Sequence, residues 1–136
     1  MNRHVVGKAA DLPPGERLVV TLDGRSVGIF NVHGAYYALL NRCSHQGGPL
    51  CLGTLVGLAE SNQPGEYTMT RQGEIIRCPW HAWEFDIRTG KAILDPHRSR
   101  VKTYQVTVEP GVPAGVPADV ETYAVSVESG LLVVHM

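Results

Sequence analysis

Apolar and polar positions alternate along much of the chain, in short runs. Tyr104, Val106 and Val108 are interleaved with Thr103, Gln105, Thr107 and Glu109, and Tyr123, Val125 and Val127 with Ala124, Ser126 and Glu128. A two-residue period puts one set on each face of a strand, so each run predicts a half-buried β-strand. Turn chemistry recurs about every eight to twelve residues, between runs rich in Val, Ile, Thr and Tyr. Arg17 to Leu22 and Ser26 to Val32 flank Asp23-Gly24-Arg25, a hairpin signal, and Val32-His33-Gly34 leads the chain into Tyr36 to Leu40. Tyr67 to Thr70 and Glu74 to Arg77 flank Arg71-Gln72-Gly73 and predict a second hairpin. Trp83 to Ile87 is closed by Arg88-Thr89-Gly90, and Ser129-Gly130 returns the chain into Leu131 to Val134. Helical periodicity is nearly absent. The pattern predicts an all-β fold, an antiparallel sandwich or barrel.

Two stretches read as insertions on this scaffold. One is Gly53 to Glu66, with a Gln63-Pro64-Gly65 turn; the other is Pro110 to Asp119, where Gly-Val-Pro-Ala occurs twice in succession and predicts a stiff surface loop. A chain of 136 residues, 43% apolar, fits a single domain over 1–136 and buries roughly two-thirds of its unfolded surface. With 12 basic and 13 acidic residues the formal charge is -1, which gives no field to gather nucleic acid or anionic lipid. The densest basic stretch, Arg88 to Lys102, also holds Asp95. It reads as a solvated surface loop, with a docking rim for an acidic partner as the alternative. No stretch approaches the roughly 20 apolar residues of a membrane span, and Met1 to Lys8 lacks a signal-peptide run. These features predict a cytoplasmic protein with no membrane partner.

The candidate chemistry lies in Cys43-Ser44-His45 and Cys78-Pro79-Trp80-His81. Each segment supplies one thiol and one imidazole, and two loops of this kind can clamp one metal centre between them. Thiolates favour iron or zinc, and a neutral imidazole binds through one nitrogen and leaves the other free to titrate. Two Cys and two His also make a structural zinc site, so a zinc interaction module is one reading, although zinc fingers usually pair like with like around a small helix. Gly47 and Gly48 let backbone N–H groups turn toward a bound centre, and Pro49 and Pro79 stiffen the loops. Trp80 and Trp83 flank His81 and suit either shielding of the centre or an apolar docking surface. Cys51 reads as a small buried thiol without a disulfide partner, which suits a reducing compartment. His4, His33, His97 and His135 read as surface or packing residues. No nucleophile with a base partner, phosphate loop or paired carboxylates stands out, so independent catalysis is not expected.

The two segments resemble the signature of the Rieske family of 2Fe-2S proteins, Cys-x-His on one loop and Cys-x-x-His on the other. The likeness extends through residues 43 to 50 and 78 to 90, and is strongest to the Rieske ferredoxins of bacterial ring-hydroxylating oxygenase systems. It implies one 2Fe-2S cluster, with Cys43 and Cys78 on one iron and His45 and His81 on the other. It also implies a cluster-binding subdomain of two loops, at about 41–97, inserted in a β base at about 3–40 and 98–136. Asp95-Pro96 would belong to the family's proline-bearing cover loop. The function implied is that of a soluble one-electron carrier between a flavin-dependent NAD(P)H reductase and a terminal oxygenase. The alternative is a small Rieske subunit or sensor bound permanently to another oxidoreductase, of the nitrite-reductase-small-subunit kind. The chain departs from the high-potential respiratory branch at four positions. Gly48 and Trp80 stand where that branch has disulfide cysteines, and Trp83 and Phe85 where it has a Ser and a Tyr hydroxyl, which predicts a low reduction potential.

Overall fold

The computed structural model describes residues 2–43, 47–80, 82–94, 96–110 and 130–136. Among them are nine strands: β1 (Arg3–Lys8), β2 (Arg17–Leu22), β3 (Arg25–Val32), β4 (Ala35–Leu40), β5 (Thr54–Gln63), β6 (Glu66–Arg77), β7 (Glu84–Asp86), β8 (Thr103–Glu109) and β9 (Leu131–His135). Six form one antiparallel sheet in the order β1-β9-β8-β4-β3-β2, and β5-β6-β7 form a second. The fold is the all-β arrangement that the alternation predicts. The smaller sheet falls wholly between β4 and β8 in sequence.

The wall between the two parts is built by β3 and β4. Successive side chains of a strand point to opposite faces, and in β3 both faces are apolar and covered. Val27 and Ile29 pack with Leu12, Ala38, Tyr104, Leu132 and Val134 inside the larger sheet. Phe30 and Val32 face the other way, into a second core with Leu39, Leu50, Ile76, Phe85 and Ile87. The neighbours Ala38 and Leu39 of β4 divide between the same two cores. Each large apolar side chain buried here stabilises the fold by about 1.5–3 kcal/mol, so the small sheet is held to the large one by hydrophobic burial.

A close approach adds to that attachment. Cys51, in a short 3₁₀ turn at Leu50–Leu52, lies against Gly28 of β3 so tightly that a Cβ on Gly28 would stand 2.5 Å from the Cys51 sulfur. Cys51 is fully buried, its thiol donates to the Leu39 carbonyl at 3.6 Å, and burial pushes its pKa up to about 12. This is the buried thiol the sequence predicts.

The second predicted hairpin is corrected. The chain reverses at Pro64 and Gly65, between β5 and β6, while β6 runs unbroken past Arg71-Gln72-Gly73. The turn chemistry there is genuine, since Arg71 has φ 51° and Gly73 φ 79°. It makes a bulge within the strand: the register passes from Leu58↔Thr70 to Val56↔Ile75. Arg71 fastens the bulge by donating to Asp86 at 2.6 Å and Glu74 at 3.0 Å. Residues 53–66, read as an insertion, thus supply β5 and the tip of a long hairpin. The strand expected at Tyr123 to Val127, and residues 111–119 of the second insertion, lie outside the described residues. β1, which the sequence did not signal as a strand, pairs with β9.

Candidate metal centre

Both candidate thiols stand where a strand of the wall or of the small sheet gives way to a loop. The chain leaves β4 at Leu40, and the Asn41 N–H donates to the Ser26 carbonyl at 2.8 Å. The Asn41 side chain then ties the two ends of the first loop together: its amide donates to Ser26 Oγ at 3.1 Å, and its oxygen accepts the Cys51 N–H at 2.8 Å. Within the loop, the Cys43 N–H donates to the Gly48 carbonyl and the Gly47 N–H to the Cys43 carbonyl, both at 2.8 Å. The second loop joins β6 to β7. Its Cys78 N–H donates to the Trp83 carbonyl at 2.7 Å, and Arg77 pairs with Glu84 at its base at 3.0 Å. In both loops the cysteine N–H is bonded to the carbonyl five residues on, so two loops of one size face one another.

The result brings Cys43 and Cys78 together. Both are buried, 2% and 1% exposed, in the same core, and neither is in a disulfide. Burial pushes the Cys78 thiol up, the Trp80 N–H directed at its sulfur pulls it down, and the hydrogen bond and charge of Cys43 push it up again. Two adjacent buried sulfurs resist ionising together unless a cation lies between them, because unpaired charge is costly to bury. A ferric centre is such a cation, and the backbone N–H aimed at sulfur is the donor that a sulfur-ligated centre requires. The described residues therefore fit the sulfur half of an iron–sulfur donor set. His45 and His81, the candidate nitrogen donors, lie outside the described residues.

The two loops touch through Gly48 and Trp80. Gly48 is buried, and a Cβ there would lie 2.8 Å from the Trp80 ring. Trp80 stays half exposed at 50% and Pro79 is exposed, whereas Pro49 is partly buried. Trp83 turns inward, packs on the core that holds the two cysteines, and stacks on Phe85 with centroids 6.5 Å apart. The two tryptophans thus differ in role: one covers the loop contact and the other belongs to the core. The remaining described histidines are engaged elsewhere or exposed. His4 meets Asp23 at 3.1 Å, His33 meets the Gln72 carbonyl at 2.9 Å, His135 meets Thr107 at 2.8 Å, and His97 is exposed.

Two supporting residues escaped sequence reasoning. Asn41 is one. The other is Arg17 of β2, whose guanidinium donates to the carbonyls of Cys51 at 2.9 Å and Gly53 at 2.5 Å, closing the 3₁₀ turn that follows the first loop. Neither sits in a motif, and each acts through partners at least ten positions distant in the chain.

Comparison with known proteins agrees with this geometry. The model of the Rieske 2Fe-2S domain matches residues 2–105. The chain is 31% identical over 99 residues to the ferredoxin component of a naphthalene 1,2-dioxygenase system from Pseudomonas aeruginosa, covering 73% of this chain and 80% of that one. It is 33% identical over 111 residues to a 3-phenylpropionate/cinnamic acid dioxygenase ferredoxin subunit of Escherichia coli, covering 82% and 90%. Among solved structures, the ferredoxin of carbazole 1,9a-dioxygenase from Nocardioides aromaticivorans superposes with a TM-score of 0.64 at 24% identity, over 98% of this chain and 97% of that one. A Sphingomonas yanoikuyae ferredoxin superposes at 0.62 and 24%, over 99% and 100%; these two likenesses concern the fold.

The chain belongs to the Rieske 2Fe-2S family, and its cofactor is one cluster of that type. The zinc reading gives way to it. Within the family its relatives are ferredoxin components, so its role is to carry electrons. No helix among the described residues is long and apolar enough to cross a membrane.

Proposed function

We propose that this chain accepts single electrons from a flavin-dependent NAD(P)H reductase and delivers them to a terminal oxygenase. The observation that carries the reading is the pairing of Cys43 and Cys78 in one buried spot, by two loops closed in the same way. A solved complex of reduced oxygenase and oxidised ferredoxin in carbazole 1,9a-dioxygenase supports it by likeness of fold. In this proposal Cys43 and Cys78 hold one iron and His45 and His81 the other, within a subdomain at about 41–97 carried by a base at about 3–40 and 98–136. When bound, the cluster supplies a one-electron couple, raised above that of a four-thiolate centre because two ligands are neutral. Gly47, Gly48, Pro49 and Pro79 shape the loops, Trp80 and Trp83 exclude water, and the buried walls keep the sulfurs dry. The cytoplasm is the compartment proposed, in keeping with three free cysteines.

The test is anaerobic titration of the purified protein. One electron per chain, a rhombic EPR signal on reduction, and rapid reoxidation by a terminal oxygenase without product formation in its absence are expected. Substrate oxidation by the chain alone would overturn the reading. The β5–β6 hairpin favours a second one, a small Rieske subunit bound permanently to a larger oxidoreductase, because a long arm beside a cluster can fix a partner. A stable complex that survives purification at high salt would select it.

A further inference from the structure

Between β7 and β8 the chain carries its main concentration of positive charge. Arg88, Lys91, Arg98, Arg100 and Lys102 stand against Asp95, a net charge of +4 in a chain whose total is -1, so the remaining residues sum to -5. The backbone here is fixed to the small sheet: Ala92 bridges to Phe85, and the Ile93 N–H donates to the Glu84 carbonyl at 2.9 Å. Arg88 pairs with Glu74 at 3.4 Å, and the Lys102 ammonium lies 5.5 Å from the Tyr104 ring centroid. Lys91, Arg98 and Arg100 are left without a carboxylate in ion-pair range among the described residues, and all but the backbone of this stretch faces water at these positions. Lys91 and Arg100 are directly opposed across an antiparallel bridge, where like charges repel. Beside them Leu94 is 96% exposed and edges a cleft of about 180 Å³ with Ala82, Trp83 and Glu84, next to the second ligand loop.

Opposed cations and a fully exposed leucine both cost free energy in the isolated chain, and one kind of contact relieves both. We infer that the face formed by Lys91, Leu94, Arg98 and Arg100 is a docking surface for a redox-partner protein that presents acidic side chains around an apolar hollow. The inference rests on the electron-carrier reading and adds the chemistry of the partner. Attraction between the three cations of this face and an acidic patch orients the encounter, since the rest of the chain sums to a negative charge. Leu94 then supplies the desolvated anchor. Docking here sets the second ligand loop beside the partner.

Two probes of opposite charge test this: cytochrome b5, with an acidic haem edge, and cytochrome c, with a basic one. The reduced protein is mixed with each by stopped flow at about 10 and about 300 mM ionic strength, which shortens the screening length severalfold. The triple variant Lys91→Glu, Arg98→Glu, Arg100→Glu is expected to reduce cytochrome b5 at least about tenfold more slowly at low salt. The difference should close at high salt, with the EPR spectrum unchanged and cytochrome c reduced as fast as before or faster. Leu94→Ala should slow cytochrome b5 reduction severalfold at both salt concentrations. A change of less than about twofold in the triple variant would overturn the proposal. So would tight binding of a DNA duplex at physiological salt that the triple variant loses, which would make the face a nucleic-acid surface. Failure of the parent protein to reduce either cytochrome would remove the carrier reading, and the docking role with it.

Discussion

Gly48 of the first cysteine loop and Trp80 of the second are in direct contact, and the fit exists because Gly48 has no side chain: a Cβ there would lie 2.8 Å from two atoms of the indole ring. These are the positions at which the respiratory branch of the family joins its loops by a disulfide. Here packing of a large ring on bare backbone does the joining. Gly48→Ala is expected to push the ring away and destabilise the loop pair by about 1–3 kcal/mol, the usual cost of overpacking. Trp80→Ala should open the same contact from the other side, and Trp80→Phe should largely preserve it. The rate at which the visible absorption bleaches under an iron chelator measures the effect. Equal rates in all four proteins would show that the contact does not hold the loops.

Arg17 reaches from β2 to the carbonyls of Cys51 and Gly53, so it ties the larger sheet to the turn behind the first cysteine loop. Hydrogen bonds from a charged donor contribute about 1.5–3 kcal/mol. Arg17→Met keeps most of the apolar stem and removes the donors. Its free energy of unfolding should fall by an amount in that range, read as a lower urea midpoint with the slope of the transition unchanged. An unchanged midpoint would mean that water replaces the guanidinium without loss.

The Cys51 thiol predicts a pH dependence. In the unfolded chain a cysteine ionises near pH 9.0, whereas in the fold burial raises Cys51 to about 12. Between these values the unfolded state releases a proton that the folded state keeps. Stability is therefore full below pH 9, falls as the pH rises, and is lost progressively toward pH 12. By pH 11, two pH units above the unfolded value of 9.0, the loss from this group is about 3 kcal/mol, at about 1.4 kcal/mol per unit. Cys51→Ser, which cannot ionise, should show a correspondingly flatter decline in urea midpoint from pH 8 to 11, and its EPR spectrum should match the parent. Parallel declines would contradict the burial argument, and loss of the signal would make Cys51 a ligand.

Trp83 and Phe85 occupy the positions where hydroxyl donors raise the potential in the respiratory branch, and they stack on one another. Each hydrogen bond to a charged acceptor is worth about 1.5–3 kcal/mol, or on the order of 60–130 mV for one electron. Without two such bonds the midpoint should fall at the low end of the range of Rieske centres. Spectroelectrochemical titration checks it, and a midpoint above about +100 mV would contradict it.

How far these features could be read in advance differs from element to element. β8 was legible because Tyr104, Val106 and Val108 alternate with polar residues, and β3 because Val, Ile and Phe fill both faces between two turn signals. β6 was not, since Arg71-Gln72-Gly73 carries the backbone signature of a reversal and only the pairing with β5 turns it into a bulge. The two thiols were legible because their loops carry the ligand spacing in a few consecutive residues. Asn41 and Arg17 were not, since their importance lies in which distant carbonyls and amides the fold brings to them. The Gly48–Trp80 contact lies between: both residues stood out in sequence, but only the fold shows that they touch.

The central claim is that one sulfur-held and one nitrogen-held iron share this site. Mössbauer spectroscopy of the iron-57-enriched protein tests it most directly. The oxidised protein should give two quadrupole doublets of equal area, from inequivalent ferric sites, and reduction by one electron should convert only one of them to ferrous iron. A single doublet, or a colourless protein containing zinc and no iron, would contradict the account.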